Sequence, residues 1–145
     1  MSLMKSLNKT LFPMLLVFAV SSAQAASEMS DKPSPEAVDG AVTVGVTAAK
    51  ALFDQGALFV DVRTAKGFEA GRVPDAVLLD LKKNFSKESL GAEAAAGDPI
   101  VIYCNGINCW RSSKAAKKAV SWGYTKVNYF RGGFPAWKKA GYPVE

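Results

Sequence analysis

Ile100-Val101-Ile102-Tyr103 is an unbroken run of apolar residues, bounded by Gly97-Asp98-Pro99 on one side and Cys104-Asn105-Gly106 on the other. A strand with no polar residue has no face to offer water, so it must lie inside a sheet covered on both sides. Leu58-Phe59-Val60 and Val77-Leu78-Leu79 repeat the pattern. Between these runs lie segments with helix start and stop signals. Short apolar strands alternating with helices call for an α/β fold, a parallel sheet with helices on both faces.

Reading along the chain gives five strands. Val42–Val46 is the first, followed by a helix over Ala48–Gln55 that Thr47 caps and Gly56 stops. Leu58–Asp61 is a buried strand ending on a carboxylate, and Thr64 caps a short helix to Ala70. Val77–Leu79 is the third strand, and a weak helix near Ser89–Ala96 follows it. Ile100–Tyr103 leads through a loop to a helix over Ser112–Trp122. Val127–Phe130 is the last strand, and Pro135–Ala140 a closing helix. Open parallel sheets bind ligands beyond the carboxyl ends of their strands, which is where Cys104 and Asp61-Val62-Arg63 fall.

Residues 1–25 read as a signal peptide: Lys5 and Lys9, an apolar stretch over Leu11–Val20, and Ala23-Gln24-Ala25 before a cut at Ala26. The apolar stretch falls short of the roughly 20 residues that a bilayer requires. A periplasmic or secreted protein is expected, with no membrane contact after cleavage. Residues 26–41 read as a linker, polar and carrying Pro33 and Pro35, and residues 42–145 as one domain. Loss of Lys5 and Lys9 from the 18 basic residues leaves sixteen against 13 acidic ones. So mild an excess, without a run of like charges, gives no reason to expect nucleic acid.

The chain has no histidine and two cysteines. That excludes imidazole-based nucleophilic catalysis and any His-ligated metal, and two thiols cannot build a four-cysteine site. No metal and no cofactor is expected. A cysteine nucleophile needs no imidazole, because a thiol ionises close to neutrality. Cys104 stands where a buried strand hands over to a helix N-terminus, a place of open amides and positive dipole that favours a thiolate.

The motifs around it resemble the rhodanese-like family. Asp61-Val62-Arg63 is similar to that family's Asp-x-Arg after the second strand, and Gly71-Arg72-Val73-Pro74-Asp75-Ala76 to its Gly-His-Ile-Pro-Gly-Ala. Tyr103-Cys104 resembles the strand-end nucleophile, and Arg111-Ser112 the residues that close the active loop. Gly132-Gly133-Phe134 with Trp137, then Gly141-Tyr142-Pro143-Val144, resembles the closing signature. The resemblance implies a three-layer α/β/α domain over about Val42–Glu145. It implies a sulfurtransferase in which a cysteine thiolate takes a sulfane sulfur from a donor such as thiosulfate and passes it to a thiol or cyanide. The expected partners are therefore a small sulfur-containing anion or a thiol acceptor, or a periplasmic redox or sulfur-carrier protein. Two departures stand out. Arg111 falls seven residues after Cys104, where the family's sulfurtransferases place it five after, and Cys109-Trp110 sits inside the loop.

On this reading Cys104 is the nucleophile and Arg111 the anion clamp, since a guanidinium is always charged and forked. Asn105, Gly106, Ile107, Asn108 and Trp110 form the substrate-binding loop. Asp61, Arg63 and Ser112 are supporting residues. Cys109 has three open roles: a disulfide partner of Cys104, a resolving thiol, or the first nucleophile. Two other functions fit the same residues, a thiol–disulfide oxidoreductase using both cysteines and a non-catalytic module that binds an anion or a partner.

Overall fold

The structure is a computed structural model that describes residues 29–145; the signal-peptide reading lies outside the described residues. Among these residues five strands form one sheet: β1 (Ala41–Thr43), β2 (Leu58–Asp61), β3 (Val77–Leu78), β4 (Ile100–Tyr103) and β5 (Val127–Phe130). Their order across the sheet is β1-β5-β4-β2-β3 and every pairing is parallel. The apolar run that opened the argument is the central strand, buried along its whole length. Among the described residues, five helices complete the fold: α1 (Val46–Asp54), α2 (Ala65–Ala70), α3 (Lys87–Glu93), α4 (Arg111–Ser121) and α5 (Gly133–Lys139).

The strands' two-residue period sorts the core into two layers. Val60, Val62, Ile100, Ile102, Val127 and Tyr129 face Leu90 of α3 and Ala115, Ala116 and Ala119 of α4. Phe59, Val101, Tyr103 and Phe130 face α1 and α5, where Phe53, Phe59, Trp137 and Tyr142 meet edge to face. Three alanines on one face of α4 let that helix lie close against β4 and β5.

The helix ends differ from the expected ones for local reasons. Thr64 caps α2 as expected, accepting the Gly67 N–H at 3.3 Å. α1 starts at Val46 with Gly45 as its cap, so Thr47 lies inside the helix instead. α3 begins earlier than expected because Ser86 and Ser89 cap each other: Ser86 Oγ accepts the Ser89 N–H at 3.0 Å and Ser89 Oγ the Ser86 N–H at 2.9 Å. The segment before β1, read as a linker, is bonded to β5 and to the residue after it. Tyr129 Oη donates to Pro35 O at 2.9 Å, and Arg131 donates to Ser34 O at 2.8 Å.

Candidate active site

The carboxyl ends of β2, β3, β4 and β5 bring together Asp61-Val62-Arg63, Leu79-Asp80, Cys104 and Arg131-Gly132-Gly133. Cys104 leaves β4 and is bonded to Cys109, closing a ring of loop whose Cα ends lie 6.4 Å apart. Of the three roles open to Cys109, the structure displays the disulfide. Cys104 is 1% exposed and Cys109 fully buried. In this oxidised form both cysteines are buried.

The backbone around Cys104 is fixed from the α5 side. Its carbonyl accepts the Phe134 N–H at 3.0 Å. Gly133 has φ +60°, and a Cβ there would collide with the Cys104 carbonyl and come within 2.9 Å of the Gly106 nitrogen. Only glycine permits so close a passage at a left-handed residue. Gly133 thus has a packing role at the site. A second glycine position of the family is filled here by Asp75. It keeps the left-handed backbone, φ 61°, a conformation that aspartate tolerates better than most residues.

The loop itself splits by exposure. Asn105 and Ile107 are exposed, Gly106 is buried, and Asn108 and Trp110 are half-buried. Cys109 N–H closes a turn onto Gly106 O at 3.0 Å. The N-terminal segment lies along the loop: Ser30 N–H donates to Asn108 O at 2.9 Å, Ser34 N–H to Ile107 O at 2.6 Å, and Met29 pairs antiparallel with Cys109. Trp110 Nε1 donates to Lys32 O at 3.1 Å. Trp110 therefore ties this segment to the loop, a contact no sequence pattern revealed.

Arg111 opens α4 and is 4% exposed. Its Nη1 donates to Asp80 Oδ1 and to Val62 O, both at 2.8 Å. The neighbouring Ser112 is buried, and its Oγ has no hydrogen-bond partner among the described residues. Asp61 and Arg63 belong to the opposite face. They form a closed, buried pair, Nη2 to Oδ2 at 2.7 Å and Nε to Oδ1 at 3.0 Å, and Arg63 Nη2 also donates to Gly71 O at 2.6 Å. The Arg63 guanidinium lies 4.6 Å over the Phe134 ring. Tyr103 is fully buried there; desolvation, and next the charge of Asp61, push its pKa well above the ordinary tyrosine value.

Asp80 is the site residue that the sequence reading missed. It is 3% exposed and its Oδ1 also accepts the Lys82 N–H at 3.0 Å. Its signal was present: Val77-Leu78-Leu79-Asp80 ends an apolar run on a carboxylate, just as Leu58–Asp61 does. Among the described residues no cluster of side chains is suited to hold a metal ion.

A parallel three-layer domain with a cysteine at the exit of its central strand defines an α/β protein of the rhodanese type. The Rhodanese-like domain family matches residues 46–140, and the chain belongs to that family. A thiosulfate sulfurtransferase GlpE from Pseudomonas savastanoi is 40% identical over 97 residues, 67% of this chain and 86% of the relative. A human single-domain sulfurtransferase superposes with a TM-score of 0.58 at 24% identity, over 68% of this chain and 96% of the other. A Rhodopseudomonas palustris protein of unknown function, a possible tyrosine phosphatase, superposes with a TM-score of 0.57 at 29% identity, over 72% and 85% of the two chains.

Proposed function

We propose that the protein is a sulfurtransferase that carries a sulfane sulfur as a persulfide on Cys104. The observation that carries this reading is a cysteine at the carboxyl end of the central strand, at the family's nucleophile position, in a chain 40% identical to a thiosulfate sulfurtransferase. The disulfide must first open: a dithiol reductant takes over the bond and leaves two thiols on the protein. The Cys104 thiolate then attacks the outer sulfur of the donor. A bond forms between the two sulfurs, the donor's own bond to that sulfur breaks, and its remainder leaves with the electron pair. A thiol or cyanide acceptor repeats the attack on the outer sulfur and returns the thiolate. Export through the N-terminal signal fits a cysteine pair that is joined at rest, since oxidising compartments preserve disulfides.

Intact-mass measurement of the reduced protein after incubation with a sulfane-sulfur donor tests the reading. A gain of one sulfur atom, lost in Cys104→Ser and kept in Cys109→Ser, is the expected result. A second reading, thiol–disulfide exchange through the same pair, is favoured by the Cys104–Cys109 bond. It predicts instead that the oxidised protein passes its disulfide to a dithiol substrate and gains no sulfur from any donor.

A further inference from the structure

We propose that Asp80 sets the donor specificity of the site, turning it from the thiosulfate dianion toward weakly charged donors, the hydropersulfides of small thiols. The inference rests on the Cys104 reading above. A clamp for a doubly charged anion needs surplus positive charge where the anion sits. Here the guanidinium of Arg111 is met at 2.8 Å by the Asp80 carboxylate, both groups being buried. Together the two groups carry no net charge. The carboxylate is also anchored independently of the active loop. Its Oδ1 accepts the Lys82 N–H, and the Asp80 carbonyl accepts N–H groups from Lys83, Asn84 and Phe85 at 3.0–3.1 Å. Asp80 therefore stays beside Arg111 when the disulfide opens and the loop rearranges.

The neighbouring arginines do not replace the lost charge in the same place. Arg63 is neutralised by Asp61 across the sheet; Arg131 keeps its charge, with its guanidinium turned to the carbonyl of Ser34 in the N-terminal segment. The chemistry of the two donors separates on this point. With thiosulfate, the thiolate attacks the sulfane sulfur and sulfite leaves with two negative charges. With a hydropersulfide R–S–SH, the same new bond forms, R–S⁻ leaves and takes up one proton. The first departure needs a cation facing it; the second needs only a proton.

The test compares thiosulfate with 2-mercaptoethanol hydropersulfide on the reduced protein, with cyanide as acceptor. In Asp80→Asn the KM for thiosulfate should fall about tenfold, the size of one unit charge removed at short range in a partly screened site, while the KM for the hydropersulfide stays within about twofold. The wild type should show little salt dependence of kcat/KM for thiosulfate, because an Arg111 already paired with Asp80 adds no net attraction for the dianion. This second measurement decides if Asp80→Asn fails to fold, a real hazard when one partner of a buried pair is removed. Equal KM changes for both donors, or a steep fall of the wild-type thiosulfate rate with salt, would overturn the proposal. Absence of persulfide on Cys104 with either donor would overturn the sulfurtransferase reading as well, and so is told apart from a lost preference.

Discussion

At the scale of single residues, the positions that matter most are those where a side chain or its absence fixes the strand ends. Gly133→Ala puts a methyl group into the Cys104 carbonyl at a left-handed residue. It should cost more than about 2 kcal/mol, read as a lower urea midpoint with an unchanged slope. Tyr103 gives the fold a pH dependence. Its hydroxyl is kept neutral by burial first and by Asp61 second. The unfolded chain ionises this group near about pH 10 and the folded chain resists, so the folded state holds more protons above that pH. The stability it contributes is complete below about pH 10 and declines as pH rises beyond it. Tyr103→Phe should flatten that alkaline slope in urea midpoints taken from about pH 8 to about pH 11. Asp61 and Cys104 were visible in the sequence because each ends an apolar run. Asp80 ends one too, but its partner lies 31 positions away on another element, and no local pattern joins the two.

At the scale of elements, the buried strands were the legible part. β2 and β5 run over the expected residues and β4 is the inner strand that its composition required. Helix ends were less legible because they depend on cap geometry that spacing alone does not fix. Ser86 decides where α3 begins, and Ser86→Ala should lower stability by about 1 kcal/mol, with the loss seen as faster amide exchange confined to residues 87–93. The N-terminal segment was the least legible, having neither helical nor strand period. Its bonds to the active loop are to backbone carbonyls, which every sequence supplies. Trp110→Phe deletes the indole donor to Lys32 O and should speed reduction of the disulfide by dithiothreitol about threefold or more, followed by thiol titration.

At the scale of the whole molecule, the disulfide is one cross-link in a domain otherwise held by two apolar layers. The ring it closes is short, a separation of 5 residues, so opening it should cost only about 2 kcal/mol of stability. Thermal unfolding with and without reductant should differ by roughly 5–10 °C, leaving a folded reduced protein. The topology was legible because parallel strands buried on both faces admit few arrangements, whereas the covering of the site depends on contacts between distant segments. The clasp of α5 on the Cys104 carbonyl has one more consequence. The Cys104 sulfur stands on a fixed post, and every incoming atom must be brought to a point that does not move.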